Sequence, residues 1–192
     1  EKKITAEVCL PHLYYTDADY ATYGTRIKCN PAIKTHADRR SLRNALNNGL
    51  IDVVATDHAP HLLSEKQGGC FTAASGMPLV QYSLVAMLEM ARKGIFTTEM
   101  VVDKMCHAPA TLYRINKRGF IREGYYADIV LVDPNASYVV EAKDIKSKCA
   151  WSPFEGERLH NKVKTTFING QKVFDNDTIN TNIRGQRLTF TV

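Results

Sequence analysis

The densest group of chemically reactive side chains is the run Thr-Asp-His-Ala-Pro-His at positions 56–61. It continues from residues 51–56, whose mostly apolar composition predicts a short parallel strand buried on both faces. In parallel α/β proteins, chemistry gathers where strands end and the chain leaves the sheet. Asp57, His58 and His61 could there bind a metal, act as acid and base, or hold an anionic substrate. The other interpretation is a capped loop whose polar residues only tie down the backbone.

His12 is the second candidate, because it follows a strand predicted over residues 4–9. If that strand shares a sheet with residues 51–56, His12 and Asp57 leave from the same rim. Asn30 is the third candidate, although an Asn-Pro pair is also a common turn. The remaining histidines have no partner pattern and are interpreted as surface or packing residues: His36, His107 and His160.

The elements around these residues indicate an α/β protein. A helix is predicted over residues 38–47, with Gly49 just past its end, and it separates the two strands. The polar, glycine-containing stretch 62–76 is predicted to be a long loop. Further helices are predicted over 78–92, from Thr97 or Thr98 to 105, and over 109–114.

A small β unit is predicted from Gly119 onward. Asn169-Gly170 is a strong hairpin signal between two apolar runs. Strands are predicted at 127–132, 138–140, 163–168 and 171–174. The predicted domains are therefore 1–118, an α/β unit, and 119–192, a β unit.

Composition excludes several classes of protein. The chain has 192 residues, a net charge of +5 and 44% apolar residues, so disorder, collagen and coiled coil are excluded. No run approaches the roughly 18 apolar residues of a membrane span, and the scattered basic residues match no nucleic-acid motif. We therefore expect neither a membrane nor a nucleic-acid partner. Five cysteines without CxxC spacing predict free thiols and a cytoplasmic location: Cys9, Cys29, Cys70, Cys106 and Cys149.

The run at 56–61 resembles the TDHAPH signature of the dihydroorotases, which belong to the metal-dependent amidohydrolase superfamily. Residues 6–13 are similar to a family segment that ends in a metal-binding histidine, and residues 29–33 resemble its substrate loop. Residues 124–133 resemble a strand of the superfamily's β-sandwich, and 152–156 resemble a tail shared with allantoinases.

The resemblance implies the C-terminal part of a TIM-barrel hydrolase followed by a small β-sandwich. It also implies reversible hydrolysis of dihydroorotate to N-carbamoyl-L-aspartate in pyrimidine biosynthesis, with one or two Zn²⁺ ions as cofactor. By resemblance, His12 and Asp57 are metal ligands and Asp57 is also the catalytic proton carrier. Asn30 and His61 would bind the substrate, His58 would support the site, and 62–76 would form a lid.

Several family features have no counterpart in this sequence. There is no His-x-His metal pair, no bridging lysine motif and no substrate-binding arginine. A whole barrel takes roughly 250 residues, and a catalytic zinc takes about three protein ligands. We therefore expect an isolated chain to be inactive and to need the missing N-terminal half of the barrel as its partner, in a homo-oligomeric enzyme.

Two alternatives remain open at the level of sequence. One is a sister cyclic amidohydrolase, such as an allantoinase or hydantoinase. The other is a non-catalytic, dihydroorotase-like scaffold subunit, although a scaffold has no need of Asp57, His58 and His61.

Overall fold

The computed structural model describes residues 4–191, and its first sheet is a pair of parallel strands. Strand β1 (Glu7–Cys9) pairs with β2 (Val53–Ala55), and the last partners in register are Cys9 and Ala55. Val8, Val53 and Val54 are buried, as a strand covered on both faces requires. The predicted parallel pairing is confirmed, with both strands shorter than expected.

Three helices lie between these strands: α1 (Leu10–Tyr14), α2 (Tyr20–Tyr23) and α3 (His36–Asn47). The segment after β1, for which the sequence analysis gives no helix, is therefore largely helical, and His12 lies inside α1. Helix α3 starts two residues before the prediction, because Thr35 accepts a hydrogen bond from the Asp38 backbone N–H and the Asp38 side chain accepts one from Thr35 N.

Helix α4 (Ser83–Arg92) begins five residues later than the sequence predicts. The cause is local, since the backbone N–H groups of Leu79 and Val80 donate to the ring of His58 instead of entering a helix. The chain continues through α5 (Thr98–Val102), a π-helical turn and α6 (Ala108–Leu112). Thr97 caps α5 through the Met100 backbone N–H, as predicted.

The last part of the chain forms antiparallel strands. Strands β3 (Ile129–Asp133), β6 (Lys162–Ile168), β7 (Gln171–Asp175) and β8 (Thr178–Ile179) make one sheet in that order. Strands β4 (Tyr138–Val139) and β5 (Arg158–Leu159) form a separate pair. The predicted hairpin is confirmed: Asn169 and Gly170 both have positive φ, which is the geometry of a type I′ turn between β6 and β7.

Two expectations about the architecture are met only in part. Within residues 4–191 the parallel sheet has two strands and no closed barrel. A four-stranded sheet beside a two-stranded one does not confirm a β-sandwich. The fold is therefore a mixed α/β unit, and the domain boundary at residue 118/119 stays a prediction.

Two further findings concern the cysteines and the length of the helices. All five cysteines are free thiols, as their number and spacing predict. None of the helices in the described range 4–191 is long and apolar enough to cross a membrane.

A buried carboxylate fastens α4 to the β5–β6 connection. The side chain of Glu89 is 3% exposed, and it accepts hydrogen bonds from the His160 backbone N–H and from Asn161 Nδ2 at 3.0 Å. It also faces His160 Nδ1 at 3.2 Å and Arg92 Nε at 3.3 Å. His160, which the sequence left without a partner, is thus part of a buried polar network.

This network makes stability depend on pH. Burial by itself raises the pKa of Glu89, but the hydrogen bonds from His160 and Arg92 outweigh it and hold the pKa below the ordinary 4.5. The unfolded chain then binds the proton more readily, so the contribution to stability is complete above about pH 4.5 and is lost as the pH falls through the folded-state pKa.

We expect Glu89→Gln to lower the free energy of unfolding at pH 7 by about 2 kcal/mol, because it removes charge-assisted hydrogen bonds in a buried site. The variant should also lose part of the acid sensitivity below about pH 4.5. Urea unfolding of the full-length protein at pH 7 and at acidic pH measures both effects. Glu123→Gln, at an exposed position, is the matched control. Equal stability of the two variants at pH 7 would contradict the assignment.

Candidate functional site

The site begins where the two parallel strands end. Since β1 and β2 run in the same direction, Cys9 and Ala55 finish at the same edge of the sheet, and Asp57 follows two residues after β2. Asp57 has a φ of 50°, a left-handed conformation that is uncommon outside glycine, asparagine and aspartate. Such backbone strain is found preferentially at functional sites.

Asp57 carries an available carboxylate. Its side chain is exposed, and within residues 4–191 it takes part in no hydrogen bond or ion pair. Its charge is felt by two neighbouring thiols: burial, followed by the negative charge of Asp57, raises the pKa of Cys9 and of Cys29 to about 11. Both thiols are therefore protonated near neutral pH.

His12 is held in a defined orientation by its neighbours. Its Nε2 atom lies 2.7 Å from the carbonyl oxygen of Pro31, which can only accept a hydrogen bond. Nε2 therefore donates this hydrogen bond, and Nδ1 is the ring nitrogen that is left to face a ligand. The end of α1 is fixed by two arginines of α3, since Arg39 donates to Tyr14 O at 2.7 Å and Arg43 donates to Leu13 O at 2.9 Å.

Cys29 connects the histidine and the carboxylate. Its Sγ atom is 3.8 Å from His12 Nε2, and its thiol is within electrostatic range of Asp57. His12 and Asp57 thus share a neighbour at one edge of the sheet. Their assignment as ligands of one metal ion stays a prediction, supported by this proximity.

Asn30 and His61, the two predicted substrate-binding residues, both contact the loop of residues 62–76. Asn30 Nδ2 donates to Ser75 Oγ at 3.2 Å, so the amide is tied to the end of the 62–76 loop. His61 Nδ1 lies 3.6 Å from a carboxylate oxygen of Glu65. The carbonyl of His61 accepts a 2.8 Å hydrogen bond from Trp151 Nε1, which fixes the backbone at the end of the 56–61 run.

His58 has a structural role, as the sequence predicts. Its Nδ1 accepts hydrogen bonds from the backbone N–H groups of Leu79 at 3.0 Å and Val80 at 3.2 Å. The imidazole thereby joins the 56–61 run to the segment that precedes α4.

Sequence reasoning missed three residues of this neighbourhood: Cys29, Lys66 and Trp151. Cys29 was counted as one thiol among five, and Lys66 lies in a polar stretch that predicts an exposed loop. Trp151 is 90 residues away from His61, and no local pattern joins them. The available signal was that Trp151 is the one tryptophan of the sequence and is followed by Ser152-Pro153.

The donor set fits part of a metal centre. A hydrogen bond from one ring nitrogen to a backbone carbonyl is the usual way a metal-binding histidine is oriented, and Asp57 offers an unpaired carboxylate. Within residues 4–191, however, no three histidine, cysteine or acidic side chains form a group that could hold a metal ion. A catalytic zinc needs about three protein ligands, so these residues do not complete a centre by themselves.

A cavity of about 350 Å³ lies elsewhere, between the start of α4 and the antiparallel sheet. None of the candidate residues His12, Asn30, Asp57 and His61 lines it. The candidate site is therefore the open edge of the parallel strands and not this cavity.

Comparison with known proteins shows which family this chain matches. Residues 5–173 match the model of the amidohydrolase family. A dihydroorotase from Clostridium acetobutylicum is 38% identical over 173 residues, which cover 90% of this chain and 41% of that protein. A dihydroorotase from Halobacterium salinarum is 37% identical over 177 residues, covering 91% of this chain and 41% of the relative.

Solved structures give a second line of similarity. The L-hydantoinase (dihydropyrimidinase) from Arthrobacter aurescens matches with a TM-score of 0.88 and 26% identity, covering 92% of this chain and 40% of that one. A D-hydantoinase matches with a TM-score of 0.82 and 26% identity, over 91% of this chain and 40% of that one. The chain thus spans about two fifths of the length of its relatives. The sequence predicts a place for this chain at the C-terminal end of its relatives. The matches establish how much of each relative the chain covers, and they do not support that placement.

Proposed function

Because this chain belongs to the amidohydrolase family, we propose that the full-length protein is a zinc-dependent cyclic amidohydrolase that acts on dihydroorotate in pyrimidine biosynthesis. The reaction adds water across the ring amide and yields N-carbamoyl-L-aspartate. The observation that carries the proposal is the unpaired carboxylate of Asp57 at the shared edge of β1 and β2. The identity of 38% to a dihydroorotase supports the choice of substrate.

Asp57 is the proton carrier in this proposal. One carboxylate oxygen accepts a proton from the attacking water as the new carbon–oxygen bond forms. The same oxygen then delivers the proton to the ring nitrogen as the carbon–nitrogen bond breaks, so that atoms and charges balance. When bound, Zn²⁺ supplies polarisation of the amide carbonyl and acidification of water; His12 and Asp57 are the proposed ligands from this chain.

Asn30 and His61 are the proposed substrate-binding residues. The Asn30 amide can donate to a ring carbonyl, and a ring N–H of His61 can donate to the substrate carboxylate. The Asn30 side chain is oriented by its hydrogen bond to Ser75 Oγ, and the backbone at His61 is fixed by the hydrogen bond from Trp151. Such fixed polar groups favour one orientation of the ring.

A hydantoinase-type activity is the second candidate, and the structural match with a TM-score of 0.88 favours it. Both activities open a cyclic amide, so the same side chains serve either substrate. The pocket that surrounds the ring decides between them, and residues outside this chain contribute to it.

Steady-state assays of the full-length protein with dihydroorotate, hydantoin and allantoin test the proposal. We expect kcat/KM to be highest with dihydroorotate. A higher value with hydantoin or allantoin would replace the proposed substrate by the second candidate. If the zinc-loaded protein hydrolyses none of the three substrates, the proposed enzymatic activity is refuted and a non-catalytic scaffold is favoured.

A further inference from the structure

Lys66 is a buried cation in a segment whose composition predicts a solvated loop. It is 1% exposed, and no described carboxylate forms an ion pair with it. Its Nζ atom instead donates to three backbone carbonyls, at 2.6 Å to Gly76, 2.7 Å to Ala74 and 3.1 Å to Lys28. An ammonium group has three N–H donors, so each of them is used.

The three carbonyls belong to two segments that carry candidate substrate-binding groups. Lys28 lies two residues before Asn30, while Ala74 and Gly76 enclose Ser75, the hydrogen-bond partner of Asn30. A direct bond from the Gly76 N–H to the Lys28 carbonyl, 2.8 Å long, joins the same segments. The ammonium group therefore fixes the spacing between the two halves of the Asn30 site.

The same segment also contacts the 56–61 run. A Cβ atom at Gly76 would lie 2.4 Å from Ala59 Cβ and 3.5 Å from His61 Cδ2, at a φ of +121° that favours glycine. The backbone at Gly76 therefore packs directly on the turn that carries His61. A shift of Gly76 has to move His61 or open a gap beside it.

Burying this charge is unfavourable, which argues for a specific use. Desolvation lowers the pKa of Lys66 to about 8. An apolar side chain of similar length would avoid this cost, but it would remove the donor that the carbonyls of Ala74 and Gly76 share and leave the Lys28 carbonyl with the Gly76 N–H alone. The cation is thus the group that satisfies this particular arrangement of the two segments.

We propose that Lys66 is a positioning residue that sets the relative placement of Asn30 and His61, and through them the affinity for the cyclic substrate. The proposal rests on the proposed function, because it concerns the binding groups of that same site. Lys66 does not touch the substrate and acts only through the backbone of segments 28–30 and 74–76.

Lys66→Met in the full-length protein is the test, with Lys148→Met as the matched control at an exposed lysine. We expect KM for dihydroorotate to rise roughly 10-fold, which equals the loss of one hydrogen bond to the substrate, while kcat changes less than about 3-fold. The control should leave both constants unchanged. A fall in kcat with KM unchanged would overturn the proposal.

A double-mutant cycle with Asn30→Ala separates positioning from general stability. If Lys66 acts through Asn30, the double variant should have a KM close to that of Asn30→Ala alone. Effects that multiply would show that Lys66 acts independently of Asn30, and would overturn the proposal. Lys66→Gln, which keeps two N–H donors, replaces Lys66→Met in the cycle if the methionine variant does not fold.

Amide hydrogen exchange separates failure of this proposal from failure of the proposed function. Measured without substrate, Lys66→Met should increase exchange at Gly76, whose N–H is bonded to Lys28 O, and Lys148→Met should not. Unchanged exchange at Gly76 would overturn the positioning role whatever the enzyme hydrolyses. Lack of hydrolysis by the wild-type protein would instead count against the function alone.

Discussion

Asp57→Asn in the full-length protein is expected to lower kcat for dihydroorotate about 10³-fold, within the range that general acid–base groups contribute. The amide has the shape of the carboxylate but can neither accept the proton of water nor return it to the ring nitrogen. Asparagine tolerates the positive φ at this position, and Asp57 has no hydrogen bond to lose within residues 4–191. Measured in the metal-free protein, the free energy of unfolding should therefore change by less than about 0.5 kcal/mol.

Asp177→Asn is the matched control for this variant. Asp177 also has a positive φ, at 68°, and is an exposed aspartate, but it lies in the β7–β8 turn. Its ion pair with Lys162 is at the surface, where such pairs contribute little. A kcat for Asp57→Asn within 10-fold of the control would remove Asp57 from the reaction.

Trp151→Ala is expected to have the largest effect on stability, about 3–5 kcal/mol. The indole is 2% exposed, so the truncation leaves a cavity, and it also removes the N–H that donates to His61 O. Urea unfolding measures the loss. Tyr113→Ala, at an aromatic residue that is 55% exposed, is the control and should cost less than about 1 kcal/mol.

Trp151→Phe isolates the hydrogen bond from the packing. It keeps most of the buried ring but leaves the His61 carbonyl without its donor, so KM should rise while kcat is nearly unchanged. If Trp151→Ala and Tyr113→Ala have equal free energies of unfolding, the indole of Trp151 is not part of the core.

Local patterns predict the parts of this fold that depend on local physics. The Asn169-Gly170 turn is accurate because a type I′ turn needs positive φ at both positions. The end of helix α3 is predicted correctly because Gly49, which has a positive φ, follows it, whereas the Thr35–Asp38 capping box starts the helix two residues earlier than predicted. The 56–61 run is placed correctly at a strand end because an apolar run precedes it.

The sequence did not predict the contacts between residues that lie far apart along the chain. Helix α1 was missed because Cys9 supplies no side-chain cap and Pro11 in its first turn reads equally well as a loop. Lys66 is polar, and only the folded chain brings three carbonyls around it. His160 looked isolated because Glu89 is 71 residues away.

The central claim is that His12 and Asp57 serve one metal ion, and zinc content measures this most directly. Full-length wild type, His12→Ala, Asp57→Asn and the double variant are purified identically and analysed for zinc per chain by mass spectrometry. The account predicts that each single variant loses the same ion, so the double variant loses no more than the more depleted single one. Zinc content unchanged in either single variant, or losses that add up in the double variant, would contradict it.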